Sequence, residues 1–243
     1  MSGIPVAIGE GDFRRGAKEV HGGNGVGGVA LPSGGAADPR TAATLLIDLA
    51  KQNPGALHVL ATGPCTNLAR ALEQEPELPS LIASVTVMGG AVRVPGNVTP
   101  RGEANIHDNP PAAAAVFAAA WPVTLVPLDV TMRHRWTETD RARLLAGTAL
   151  QVALADMLPA YFDFYEAGLG VREIPLHDPL AAALAIGEIT AAEAPHLPLR
   201  VDPDGALREE INGDSRVRVV LALDRPAGPV ILRRILDGTE SVV

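Results

Sequence analysis

Residues 84–121 read SVTVMGGAVRVPGNVTPRGEANIHDNPPAAAAVFAAAW, and three kinds of chain follow one another there. The first, SVTVMGG, is rich in β-branched residues and stops at a glycine pair, the pattern of an interior strand. The last, PPAAAAVFAAAW, predicts a helix with its prolines in the first turn, where proline is tolerated. Between them, residues 96–110 form a polar loop that carries Asn97, Glu103 and Asn105, with Val98, Ala104 and Ile106 among its few apolar side chains. A buried strand, a polar loop and a buried helix in that order form the repeating unit of an α/β sheet.

The same alternation extends outward in both directions. IPVAIG (residues 4–9) predicts a buried strand, and TAATLLIDLAKQNPG predicts a helix with Leu45, Leu46, Leu49 and Ala50 on one face. LHVLATG is a further strand, and TNLARALEQEPEL is a helix that starts at Thr66. PVTLVPLDVT reads as a strand, and TETDRARLLAG as a helix capped by Thr137. ALQVALADMLPAYFDFYEAG and DPLAAALAIG are helical, HLPLRVD and RVRVVLALD are late strands, and GPVILRRIL is a final short helix. Apolar strands without alternation imply a mostly parallel, Rossmann-like sheet with helices on both faces. No internal repeat or linker interrupts the chain, so residues 1–243 are expected to form a single domain. Ligands of such sheets sit beyond the carboxyl ends of the strands, where the polar loop falls.

Composition narrows the class. The net charge is −8, lysine occurs only at Lys18 and Lys51, and no basic run is present, which argues against a nucleic-acid backbone as partner. Cys65 is the single cysteine, so no intrachain disulfide forms, and a cytoplasmic location is expected. The first residues lack the pattern of a secretory signal, and no apolar run reaches the length of a membrane span, so no membrane partner is expected.

Several candidates carry two readings each. GNGVGG (residues 23–28) matches G-x-G-x-x-G, but it neither follows a strand directly nor opens a helix, so a loop with His21 looking into a pocket is the preferred reading. Cys65 is a nucleophile without an adjacent base, or a small packing residue. Asn97, Glu103 and Asn105 suit a polyhydroxylated ligand, or they form a surface turn. Asp178, in His177-Asp178-Pro179, is a helix cap or a metal ligand, with His177 placed to protonate a leaving group. Tyr161 and Tyr165 lie four residues apart on one helical face, as core or as a stacking wall.

Taken in order, IPVAIG, VHGGNGVGG, ATGPCTNLARALEQEP, VTVMGGAVRVPGNVTPRGEANI, VTLVPLDVT and LHDPLAA resemble the inosine/uridine-preferring nucleoside hydrolases over nearly the whole chain. The resemblance implies hydrolysis of the N-glycosidic bond of purine or pyrimidine ribonucleosides by a calcium-bound water. It implies that Asn97, Glu103 and Asn105 bind the ribose hydroxyls above Met88. It also implies that Thr66 (through its carbonyl) and Asp178 bind calcium, and that His177 protonates the departing base. Tyr161, Tyr165 and His21 would lie near the base, and a homodimer or homotetramer is a family expectation.

The chain departs from that family at one decisive place. The family's D-x-D-x-x-x-D-D motif, which supplies most calcium ligands, has no counterpart here. By the resemblance, IPVAIG is the third strand and the first two strand–helix units are missing. Two absent strands would leave a gap of roughly 10 Å beside LHVLATG and a marginally stable sheet. The calcium site is therefore expected to be incomplete and activity impaired. The alternative is a non-catalytic relative that binds nucleosides or sugars.

Overall fold

The computed structural model describes residues 3–11, 20–210 and 217–238. They divide into two compact units. One contains residues 3–11 and 34–130 and the described part of 191–222; the other contains 20–33, 131–190 and 223–238.

A five-stranded sheet organises the first unit, in the order Leu57–Ala61, Ile82–Met88, Val123–Val126, Val217–Val219, His196–Leu197. The first four strands run parallel, and the short His196–Leu197 is antiparallel to its neighbour. Residues Val85, Thr86, Val87 and Met88 are all at least 94% buried, so both faces of this strand are covered. That explains its unbroken apolar, β-branched sequence. Val85 lies opposite Val123 and Val87 opposite Leu125, which stacks branched side chains across the ladder.

Helices Ala42–Gln52, Thr66–Gln74 and Pro110–Ala118 contribute to the same core. The hydroxyl of Thr41 caps the first, accepting from the amide of Thr44 at 3.2 Å. Its buried stripe is Ala43, Leu45, Ile47 and Ala50, rotated from the expected face so that Leu46 and Leu49 are only half-buried. Thr66–Gln74 stops short of Pro76, and Asn109 caps Pro110–Ala118 by accepting from Ala112.

Three expectations need correction in this unit. Residues 4–9 are not a buried strand: only Ala7–Ile8 is extended in a ladder, paired with Asp38–Thr41, and Ile4, Val6 and Ile8 are 68–72% exposed. Ala7–Ile8 shares no sheet with Leu57–Ala61, and each has one neighbour strand among the described residues. The strand of PVTLVPLDVT ends at Val126, and Leu128–Thr131 turns into a short helix because Pro127 withdraws a ladder donor. Pro198 likewise splits HLPLRVD into His196–Leu197 and Leu199–Val201, the second pairing with Leu207–Glu209.

The second unit is mainly helical, with Glu138–Leu145, Ala149–Leu169, His177–Ala185 and Ala227–Asp237. Capping boxes open the first two, Thr137 with Asp140 and Thr148 with Gln151. Ala149–Leu169 ends at Gly170, whose φ of 71° is the left-handed conformation that favours glycine. A short antiparallel pair, Arg135–Thr137 with Glu173–Pro175, fixes the chain ahead of His177. Trp136 donates from Nε1 to the carbonyl of Gly228 at 3.0 Å and ties this pair to the last helix. Among the described residues, no helix is long and apolar enough to cross a membrane.

Leu125 is fully buried and Ile8 is 72% exposed. Truncating Leu125 to alanine is expected to destabilise the fold by about 3 kcal/mol, whereas Ile8→Ala stays within about 0.5 kcal/mol. Urea denaturation followed by circular dichroism checks both.

Candidate functional site

In the first unit, the site is built at the end of strand Ile82–Met88. Gly90 follows it with φ of +81°, a left-handed backbone that favours glycine, with the tip of Leu207 packed against it. The loop beyond folds back on itself: Gly96 donates to the carbonyl of Pro100 at 3.2 Å, and Val98 donates to that of Gly102 at 3.2 Å. A side chain at Gly96 would strike the backbone of Gly102. That close approach delivers Glu103 to the start of a short helix, Ala104–Asp108.

Glu103 is only 2% exposed. Its Oε2 accepts from the amides of Gly90 (2.7 Å) and Ile106 (3.2 Å), and its Oε1 from that of Asn105 (3.0 Å). One carboxylate thus caps the helix and anchors it to the end of the strand. Asn105 spans two strand ends. Its Nδ2 donates to the carbonyls of Met88 (3.1 Å) and Thr62 (3.4 Å). Asn97 accepts from the amide of Ala104 through Oδ1 at 3.0 Å. Among the described residues, Asn97 Nδ2 and Asn105 Oδ1 make no hydrogen bond. One end of each side-chain amide is committed to the backbone, and the other is open to a ligand.

Thr66 is the first residue of helix Thr66–Gln74, and its hydroxyl accepts from Asn109 Nδ2 at 3.0 Å. Its carbonyl belongs to the helix's own hydrogen-bond ladder. The carbonyl of Thr62, which the sequence reading did not single out, is the one beside Asn105 and Met88. Cys65 is buried, and desolvation, followed by the Glu103 charge, pushes its thiol up to about 12. It is a packing residue, because a thiol of that pKa yields almost no thiolate near neutrality.

The second unit holds the other candidates. Residues 22–28 form a tight turn in which Asn24 Oδ1 accepts from the amides of Val26 and Gly28. The turn opens no helix, which removes the dinucleotide reading. His21, at its start, stacks on Tyr161 with ring centroids 5.5 Å apart and planes 10° from parallel. Tyr161 meets Tyr165 edge-on at 4.9 Å, and Tyr165 lies 6.0 Å from the ring of His177. The tyrosines are therefore part of an aromatic wall that runs from His21 to His177.

Both ring nitrogens of His177 are engaged: Nε2 with the Tyr165 hydroxyl at 2.8 Å, and Nδ1 with the Thr131 hydroxyl at 2.7 Å. Burial pushes the imidazole down to about 4, so it is neutral at physiological pH. Burial also raises the phenol of Tyr161, with Tyr165 adding to the effect. Helix His177–Ala185 has Leu176 as its N-cap, so Asp178 lies in the first turn and is not the cap. Asp178 shows surface to solvent, yet crowding on its other sides pushes the carboxyl up to about 6.

Met88, Asn97, Glu103 and Asn105 are thus brought together in one unit, and His21, Tyr161, Tyr165, His177 and Asp178 in the other. Among the described residues, no group of three or more His, Cys, Asp or Glu side chains is arranged to hold a metal ion. Asp178 alone does not meet the demand of calcium for six to eight oxygens with several carboxylates. The donor set of the described residues does not fit calcium.

The family description of inosine-uridine preferring nucleoside hydrolases matches residues 1–228. A probable uridine nucleosidase 2 of Oryza sativa subsp. japonica is 34% identical over 191 residues, which is 73% of this chain and 55% of that protein. The pyrimidine-specific ribonucleoside hydrolase RihA of Salmonella arizonae is 36% identical over 69% of this chain and 54% of its own length. This chain thus spans about 55% of the length of such curated relatives. Among solved structures, a plant nucleoside hydrolase superposes with a TM-score of 0.88 at 26% identity, covering 96% of this chain and 80% of that one. A purine-preferring ribonucleoside hydrolase from Gardnerella vaginalis gives 0.86 at 30% identity over the same shares. Sequence and fold agree, and the chain belongs to the inosine-uridine preferring nucleoside hydrolase family.

Proposed function

We propose that this chain is an N-ribohydrolase that takes a ribonucleoside and releases base and ribose, with its activity impaired in the 243-residue form. The observation that carries the reading is the pair of half-committed amides, Asn97 and Asn105, on either side of the anchored Glu103. A pentose offers adjacent hydroxyls that both donate and accept, which the open Nδ2 of Asn97 and Oδ1 of Asn105 complement. Met88, 3% exposed at the strand end, gives the sugar an apolar floor.

The other half of the reaction is leaving-group departure. Cleavage of an N-glycosidic bond builds positive charge on the sugar and negative charge on the base, so a proton for the base lowers the barrier. His177 has both nitrogens occupied, so we assign delivery of that proton to the His177–Tyr165 pair rather than to His177 alone. The wall of His21 and Tyr161 offers faces on which a planar base stacks.

Relatives of this kind are expected to activate water on calcium. The donor set of the described residues does not fit that ion, and weak hydrolysis is the consequence we infer. If oxygens from the chain after Leu57–Ala61 contribute to such a site, the carbonyl of Thr66, which keeps a second lone pair beside its helical bond, and that of Thr62 are the ones we assign. The second reading, a binder without catalysis, draws on the same mismatch. We further propose that residues 1–243 act as one domain on a small molecule, in the cytoplasm and as a homo-oligomer.

Calorimetric titration with a ribose-like inhibitor, run beside a ribose-release assay, separates the readings: an impaired hydrolase binds the inhibitor and releases ribose slowly, and a mere sugar binder takes the inhibitor and releases none. Reducing-sugar assays on the 243-residue protein are expected to find very slow release of ribose from uridine or inosine. Rapid calcium-dependent release would overturn the claim of impairment.

Glu103→Gln puts an amide NH2 against backbone N–H donors. It is expected to lower stability by about 2 kcal/mol and to weaken ribose-analogue binding together with it. Thermal melting and calorimetry read the two effects.

The folded pKa of His177, about 4, lies below its unfolded value, so its contribution is present above about pH 6.5 and is lost as pH falls toward 4. Melting temperature should drop through that window, and His177→Gln should flatten the drop.

A further inference from the structure

We propose that Thr131 is a positioning residue: its buried hydroxyl donates to Nδ1 of His177 and holds the imidazole as the Nε2–H tautomer, with that proton aimed at Tyr165. The role of the tautomer in catalysis rests on the hydrolase reading above; the tautomer itself does not.

The argument is a count of protons. Thr131 has no exposed surface, and His177 Nδ1, 2.7 Å away, is the partner of its hydroxyl among the described residues. A hydroxyl buried without an acceptor for its proton carries a penalty of about 1–3 kcal/mol. If Nδ1 bore the ring proton, the Thr131 hydroxyl could only accept, and its own proton would point into protein with nothing to receive it. If Nδ1 is bare, the hydroxyl donates to it and is satisfied. The ring proton then sits on Nε2, where the Tyr165 hydroxyl accepts it at 2.8 Å. Each tautomer leaves one hydroxyl proton over. The Tyr165 hydroxyl is only part-buried and also hydrogen-bonds Tyr161, so its proton has another outlet, whereas the fully buried Thr131 hydroxyl has none.

The backbone holds both residues in place for this contact. His134 donates its amide to the carbonyl of Thr131 at 3.2 Å, and its own carbonyl accepts from Leu176 at 2.9 Å. One residue therefore clips the end of helix Leu128–Thr131 to the residue before His177. The pairing of Arg135 with Pro175 continues the clip as a ladder. Threonine is also stiff at χ1, so its hydroxyl has little freedom to turn away. Serine would keep the hydroxyl and lose the stiffness, and valine would keep the shape and lose the hydroxyl.

The tautomer is read directly by long-range 1H–15N correlation spectra of the 15N-labelled 243-residue protein, without substrate. His177 is one of six histidines and is assigned by the signal that disappears in His177→Gln. The expected result is a single Nε2–H pattern in the native protein, retained in Thr131→Ser. In Thr131→Val, that single pattern is lost to a mixture that contains the Nδ1–H form. An Nδ1–H tautomer in the native protein overturns the proposal, as does a valine variant that stays wholly Nε2–H. If the valine variant does not fold, the native tautomer still decides. Failure to release ribose, with the tautomers behaving as stated, removes the hydrolase reading and leaves the Thr131 assignment standing.

Discussion

A carboxylate buried to 98% survives only where donors surround it, and Glu103 meets that condition with three backbone amides from two segments. Two of those amides open the helix Ala104–Asp108; the third is Gly90, just beyond the strand Ile82–Met88. The strand end, the glycine pair and the helix start are therefore one rigid corner. Everything polar in the loop is arranged around it: Asn97 reaches the helix start through Ala104, and Asn105 reaches back to two strand ends. Position 90 requires glycine for its φ of +81°, and position 96 because the backbone of Gly102 occupies the space a side chain would take.

Much of this was legible in the sequence, for physical reasons. Strands buried on both faces are apolar without alternation, and Ile82–Met88 and Val123–Val126 were plain on that ground. Helix starts with proline or threonine were equally plain. What escaped was structure held by partners rather than by pattern. Asp38–Thr41, the sequence DPRT, has no periodicity and is extended only because Ala7–Ile8 pairs with it. Leu128–Thr131 looks β-branched, yet Pro127 turns it into a helix. Residues 4–9 are as apolar as a core strand but expose Ile4, Val6 and Ile8, because burial depends on neighbours that a local reading cannot count. At the site, residue types with obvious chemistry were found, whereas Thr62 and Thr131 were missed: one acts through a backbone carbonyl and the other through a single hydroxyl contact.

The two groups of site residues are built by opposite means. In the first unit, polar side chains spend half of their hydrogen-bonding capacity on the backbone and keep the rest, which suits a hydroxylated ligand. In the second, Tyr161, Tyr165, His177 and Thr131 form a chain of ring and hydroxyl contacts in which burial favours the uncharged forms of Tyr161 and His177. An uncharged chain of this kind orients a proton without placing a charge beside an aromatic base. Among the described residues, no group of three or more His, Cys, Asp or Glu side chains is arranged to hold a metal ion, so the polar groups at the strand end are amides and a single buried carboxylate.

The central claim is that Asn97 and Asn105 present their open amide ends to a pentose. The most direct test is a 1H–15N titration of the protein with ribose and with a ribonucleoside, following the side-chain amides of these two residues. The account predicts that both signals shift together and saturate at the same ligand concentration, with the Gly90 amide held nearly fixed by Glu103. Saturating ligand that moves neither side chain would contradict it.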